Sequence, residues 1–178
     1  MRHVRPVVLP LLSSNFLELN LRTYVRDCHG VPGIWFYSLD ANQPFAVWIA
    51  RLFFSLPYLH AKMHLEDRNE EIRYFCRRRG SARPLIYQFR LAGDIGEAKI
   101  GSLEFLLIER HRLFASRARR LETGRVYHSP YRLQKAVVSI LDKSLFEQDG
   151  LRAPSELPTS LLYSAGVDVT VYRIDSVS

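Results

Sequence analysis

Polar and apolar residues alternate with period two over much of this chain. From Phe16 to Arg26, Leu17, Leu19, Leu21, Thr23 and Val25 fall on one face and Phe16, Glu18, Asn20, Arg22, Tyr24 and Arg26 on the other. That period predicts a strand. The turn residues of Asp27–Gly33 lead into a second strand at Ile34–Asp40, so the two predict a hairpin. After Pro44, the apolar run Phe45–Phe54 predicts a short helix that ends before Pro57. Tyr58–Glu66 alternates again, Glu71–Arg79 and Pro84–Leu91 follow as strands, and Ala92–Gly101 reads as a loop. Ser102 is the expected N-cap of a short helix in SLEFLLIER. HRLFAS and GRVYHS predict short strands, Leu141–Gln148 a helix closed near Gly150, Ala153–Ser160 a loop, and Gly166–Ile174 a last alternating strand.

Strands mostly follow strands directly, which predicts a mainly β (α+β) fold with a mainly antiparallel sheet and two or three short helices. Several strands carry large polar residues on their second face. A sandwich exposing that face to water and a barrel turning it toward an enclosed cavity both account for them.

Composition narrows the class. The 178 residues suit a single domain, 1–178, and 47% hydrophobic residues with 9 Gly and 9 Pro exclude a disordered or collagen-like chain. No apolar run reaches the roughly 18 residues of a membrane-spanning helix. The first residues have a basic end and an apolar centre, but prolines interrupt that centre and no small-residue cleavage site follows. No signal peptide is therefore expected, and the expected compartment is the cytoplasm. Cys28 and Cys76 are too few for a disulfide framework or a zinc knuckle.

The net charge is +7, and with Lys62, Lys99, Lys135 and Lys143 as the only lysines, 21 of the 25 cations are arginine. They cluster at Arg77, Arg78, Arg79 and Arg83 and again at Arg110, Arg112, Arg117, Arg119 and Arg120. A basic module engaging nucleic acid or an acidic protein is one reading of these clusters. No nucleic-acid motif accompanies them, so solvated edges and turn flanks are the expectation.

The segments FLELNLRTYV, GVPGIWFYSLDA, ARLFFSLPYLHAKM, GSLEFLLIERHRLFA, VYHSPYRLQ and YSAGVDVTVYRI, in that order between Phe16 and Ile174, resemble the YqjF-like bacterial family of unknown function. That family is grouped with acetoacetate decarboxylase-like folds, so the resemblance implies an antiparallel β-barrel around a polar cavity. Members usually carry a further N-terminal segment of several tens of residues. The chain starts close to the first matching motif, so that segment is expected to be missing, through a truncated reading frame or a short form. In acetoacetate decarboxylase, a turn leads through a proline to two adjacent lysines, one of which forms a Schiff base with the keto acid, its pKa lowered by its cationic neighbour. ARLFFSLPYL is similar to that turn and Pro57 matches its proline, but Tyr58 and Leu59 stand where the lysines belong. A cavity-facing glutamate upstream is similar to Glu18. The resemblance therefore implies the barrel and one carboxylate, without the decarboxylase reaction.

Candidate residues follow. Glu18, Asn20 and Arg22 share one strand face, where an acid, an amide and a cation can meet a ligand, with Arg22 orienting a carboxylate and Glu18 moving a proton. An ion-pair ladder filling the interior is the alternative. Lys62, if buried beside Arg51 or an arginine of a neighbouring strand, could act as an amine nucleophile; facing solvent, it could not. Tyr58, His60 and His128 complete the expected ligand-binding set with Asn20, Arg22 and Arg51. His60 and His64 lie roughly 13 Å apart on a strand, too far to share a metal, so no metal and no cofactor are expected. Glu109, Arg110 and His111 read as a salt bridge between helix and strand. The leading expectation is a binding protein for a small, anionic organic molecule. The alternatives are an enzyme acting on a keto acid or related carbonyl compound, with Lys62 as amine and Glu18 as proton donor, and the basic interaction module. An exposed sheet edge would make a homodimer the expected oligomer.

Overall fold

The computed structural model of the chain describes residues 2–6, 14–68 and 71–176; the N-terminal apolar residues read above as no signal peptide fall mainly outside them. In chain order the elements are β1 (Arg2–Pro6), β2 (Ser14–Phe16), β3 (Glu18–Arg26), β4 (Pro32–Ala41), α1 (Pro44–Phe54), β5 (Tyr58–Arg68), β6 (Glu71–Arg78) and β7 (Leu85–Glu97). There follow α2 (Leu103–Ile108), β8 (Arg112–Arg117), β9 (Arg120–His128), β10 (Arg132–Leu141), α3 (Ser144–Gln148), β11 (Leu162–Tyr163) and β12 (Asp168–Ser176).

Strand β4 organises the sheet. One of its edges pairs antiparallel with β3 along its whole length, from Arg26↔Pro32 to Glu18↔Ala41. Its other edge forks. Ile34 and Trp35 pair in parallel with β8, and Leu39–Ala41 pair in parallel with β5. From the fork one wing runs β5-β6-β7-β10-β11 and the other β8-β9-β12-β1-β2. The sheet is thus mixed and, among the described residues, open, which corrects the expected closed antiparallel barrel. Two physical reasons stand out. Helix α1 carries the chain back over the sheet between β4 and β5, and such a crossover makes neighbours parallel. The wings end on β11 and β2, of two and three residues, and neither pairs with the other to close the ring.

The fork demands close approach. A Cβ at Gly33 would lie 2.5 Å from Cε2 of Phe114 and 3.0 Å from the Arg112 carbonyl, so only glycine lets β4 meet β8 there. Two hydrophobic clusters hold the layers. Val47, Ala50 and Phe54 are spaced to face one way on α1 and join Leu39, Ala41, Leu113 and Ala115 in the first. Ala61, Cys76 and Leu85 join Leu145 of α3 in the second, with Leu19, Leu21 and Met63 packed against them.

A charge clasp lies beside Cys76 of the second cluster. Arg78 donates to Asp40 through Nε (2.8 Å) and Nη2 (2.9 Å), and to Asp149 through Nη1 (2.7 Å). Ser38 donates its hydroxyl to the other Asp149 oxygen. Asp40 has no exposed surface. Burial works against the guanidinium charge, but the bonds and charges of Asp40 and Asp149 outweigh it and hold Arg78 above its ordinary pKa. The clasp joins β4, β6 and the end of α3, so one residue of the first arginine cluster is a core ion pair rather than a solvated edge. Arg117 of the second cluster donates to the Leu52 carbonyl at 2.9 Å and to the Ser55 hydroxyl, closing the C-terminal end of α1. Burial, and then Asp40, push the Cys76 thiol up to about 12, with Arg78 acting the other way, while Cys28 is exposed.

The strand pattern differs from expectation in three places. β10 spans residues that carried no expected element, and it takes Leu141 from the expected helix, which shortens to Ser144–Gln148. β7 continues to Glu97 through the expected loop; Gly93 and Gly96, both at positive φ, accompany register shifts against β10. β1, β2 and β11 were also not expected from the pattern.

Two outcomes test this packing. Arg78→Ala leaves two buried carboxylates unpaired and is expected to lower unfolding free energy by about 3–5 kcal/mol in urea titrations; a loss under about 1 kcal/mol would show that the clasp is not a structural tie. At pH 8, one thiol per native chain, Cys28, is expected to react rapidly with a disulfide reagent, and both after denaturation; two fast thiols in the native chain would contradict the buried placement of Cys76.

Candidate functional site

Strand β3 presents its polar residues as two separate stations. At its start, the Glu18 carboxylate accepts from Asn20 Nδ2 at 2.9 Å and from the Tyr58 hydroxyl at 2.7 Å. The Tyr74 hydroxyl donates to the Glu18 carbonyl at 3.0 Å. Arg51 reaches this station only through the backbone, its Nε donating to the Tyr58 carbonyl at 2.6 Å, and it is otherwise exposed. Glu18, Asn20 and Tyr58 are therefore brought together as expected, as a bonded group.

Arg22 sits four residues on, roughly 13 Å along the strand, and belongs to the second station. β4 carries an extra residue opposite the Leu21–Arg22 step, so Leu21 faces Ser38 and Arg22 faces Phe36. Arg22 Nη2 and the Tyr24 hydroxyl both donate to the carbonyl of Leu107, at 3.1 and 2.6 Å. That carbonyl lies in the last turn of α2 and has no partner within the helix. Among the described residues, no carboxylate lies within ion-pair distance of Arg22. The Arg22 and Arg110 guanidinium groups lie 5.8 and 6.0 Å from the Tyr24 ring centre. Two adjoining cavities share Arg22, Ile108, Tyr131 as lining. The larger, of about 230 Å³, extends to Tyr163 and Ser164; the smaller, of about 60 Å³, adds Arg110, Arg112 and His128. Arg110 Nε is buried there without a hydrogen-bond partner.

His128 is buried at the end of β9, stacked on His111 (ring centres 4.6 Å apart) and against Tyr131 (4.8 Å). Glu109, just past α2, accepts from the Tyr131 backbone N–H at 3.3 Å and places Oε2 3.7 Å from His111 Nε2 and 3.9 Å from His128 Nδ1. Ser102 caps α2 through a bond to the Phe105 N–H, as expected, and so helps set where Glu109 begins.

His60 and Lys62 lie elsewhere. Lys62 is exposed and sits directly across the β5–β6 ladder from Arg77. Both line a cationic surface pocket of about 400 Å³ with Arg77, Arg79 and Ser81. No contact among the described residues joins Lys62 to Glu18. The expected set thus divides in three: Glu18, Asn20 and Tyr58, with Arg51 behind; Arg22 with His128; and His60 with Lys62.

This geometry can be compared with known proteins. Residues 1–168 match the family DUF2071, described as "Uncharacterized conserved protein (COG2071)". The chain belongs to the DUF2071 family. It is 34% identical over 175 residues to the uncharacterized protein YqjF of Bacillus subtilis (strain 168), an alignment covering 97% of this chain and 72% of YqjF. The YqjF-like resemblance carried by the motifs is therefore sound. Among solved structures, the acetoacetate decarboxylase of Legionella pneumophila is similar in fold, with a TM-score of 0.66 at 11% identity, over 92% of this chain and 67% of the decarboxylase. The enduracididine biosynthesis enzyme MppR, solved with pyruvate, gives a TM-score of 0.60 at 12% identity, over 92% of this chain and 66% of MppR. This member of DUF2071 thus shares the acetoacetate decarboxylase-like fold. No described helix is long and apolar enough to cross a membrane.

Tyr58→Phe removes one hydrogen bond from the Glu18 carboxylate. It is expected to cost about 1.5–3 kcal/mol of stability in chemical denaturation, as for other bonds to a charged group. A change below about 0.5 kcal/mol would mean that the first station is solvated rather than built.

Proposed function

We propose that this DUF2071 protein binds a small organic anion, with its carboxylate at Arg22. The observation that carries the reading is a half-buried guanidinium that lines two adjoining cavities and has no carboxylate partner among the described residues. A guanidinium has five donors, and the Leu107 carbonyl takes one bond from Arg22. Arg110 and Arg112 add positive charge to the smaller cavity, and the Tyr131 and Tyr163 side chains line the larger one. Arginine meets carboxylates in paired, parallel bonds, which favours a planar acid over a diffuse anion.

The fold supports the same class of ligand. MppR was solved with pyruvate, so a 2-keto acid is the first probe to use. The enzymatic alternative, with Lys62 as amine and Glu18 as proton donor, gains nothing from the geometry, because the two groups lie in different places. The binding reading needs neither.

Calorimetric titration with pyruvate and longer 2-keto acids tests it. One keto acid is expected to bind, and Arg22→Ala to weaken it by about 1.5–3 kcal/mol, the worth of a hydrogen bond between charged groups. Unchanged affinity in a folded Arg22→Ala protein, or no binding across the series, would remove this reading.

A further inference from the structure

Glu109, His111 and His128 form a cluster that the proposed anion binding does not use as a unit. Each offers one ligand atom, and the three atoms lie within 4.8 Å of one another. From Glu109 Oε2, the distances to His111 Nε2 and His128 Nδ1 are 3.7 and 3.9 Å. Tetrahedral zinc with bonds of about 2.0–2.1 Å needs ligand atoms about 3.3 Å apart, so the two Glu109 separations close by about 0.5 Å and the separation of the two imidazole nitrogens, within 4.8 Å, closes by about 1.5 Å at most.

We infer that Glu109, His111 and His128 form a binding site for a zinc-like divalent transition metal. Three features beyond proximity support it. First, ligands are oriented from behind. His111 Nδ1 lies 3.2 Å from the Val126 carbonyl. Donation to that carbonyl fixes the tautomer that leaves Nε2, on the Glu109 side, as the metal ligand. Glu109 Oε1 is held by the Tyr131 N–H, while Oε2 faces the imidazoles. His128 Nδ1, the nitrogen that faces Glu109, also lies 3.0 Å from the Ser129 carbonyl, so this ring coordinates by giving up that contact.

Second, the site is buried on one side and open on the other. Side-chain exposure is 4% at His128 and 8% at Glu109 but 51% at His111. The ion has a dry seat and a route in. Third, the donor set is selective. Two imidazoles and a carboxylate suit zinc and its neighbours, whereas calcium and magnesium take all-oxygen shells. Arg110 and Arg112, on the same stretch of chain, oppose a dication, and within the set the Glu109 carboxylate offsets part of that charge. Three protein ligands leave a fourth tetrahedral position for water. The site borders the smaller Arg22 cavity through His128, but the inference does not depend on the binding of a keto acid at Arg22.

The experiment uses the full, untagged chain, stripped with a chelator and titrated with zinc alone. Cobalt(II) replaces zinc in a parallel visible-absorption measurement. One equivalent is expected to bind, with a tetrahedral cobalt spectrum. His111→Ala and Glu109→Gln are each expected to weaken binding about tenfold or more. His111 is exposed, so its substitution leaves the core intact; Glu109→Gln keeps an oxygen for the Tyr131 N–H. His64→Ala, at the exposed His64–Glu66 pair (3.3 Å) on β5, is expected to change nothing. Absence of binding at micromolar zinc, binding unaffected by His111→Ala and Glu109→Gln, or binding lost in His64→Ala instead would each overturn the inference.

Discussion

A guanidinium held between two carboxylates anchors this molecule. Arg78 is one cation against Asp40 and Asp149, in a place where water does not reach Asp40 at all. Taking such charges from water costs several kcal/mol each, recovered only if the hydrogen-bond geometry is complete. Here Arg78 meets Asp40 through two nitrogens and Asp149 through a third, and Ser38 occupies the remaining Asp149 oxygen. The clasp ties the forked strand β4 to one wing of the sheet and seats α3 on the same layer. Its geometry tolerates little sliding of β4 against β6.

That constraint reaches the cavities through β3. β4 is pinned at Asp40, and β3 follows β4 residue by residue from Glu18 to Leu21. Past the extra residue in β4, Arg22 faces Phe36 and reaches the end of α2 instead of the Glu18 station. One alternating strand therefore supplies a bonded carboxylate group at one end and an arginine facing a cavity at the other. Strength of charge does not separate these sites; the presence of a charged or bonded partner does. The Glu18 carboxylate is held by Asn20 and Tyr58, whereas among the described residues Arg22 meets the Leu107 carbonyl and the Tyr24 ring but no carboxylate.

Much of the fold was legible in local pattern. The β3–β4 hairpin, α1 and the Ser102-capped helix follow from alternation, proline placement and capping chemistry, all local signals. The fork was not, because pairing of β4 with both β5 and β8 depends on residues far apart in the chain. The β8–β9 turn was disguised as well: Ala118 and Arg119 both take positive φ, where Asn-Gly is the usual signal. Glycines at 93 and 96 looked like a loop and proved to lie in a bulged strand. For the site, Glu18, Asn20 and Tyr58 were found together because two share a strand face and the third follows a proline turn. Asp40, Arg78 and Asp149 escaped notice because each looks like an ordinary surface charge, and only the tertiary structure makes them one group. His111 and His128 are far apart in sequence and meet because β8 and β9 pair.

The central claim is that the arginine without a carboxylate, not the more exposed cationic surface, receives an organic acid. A crystal structure of the chain soaked with pyruvate tests it most directly. The account predicts carboxylate density against the Arg22 guanidinium, between α2 and Tyr131. Density only in the pocket of Lys62, Arg77 and Arg79, or none in a crystal whose Arg22 cavity is open to solvent, would contradict it.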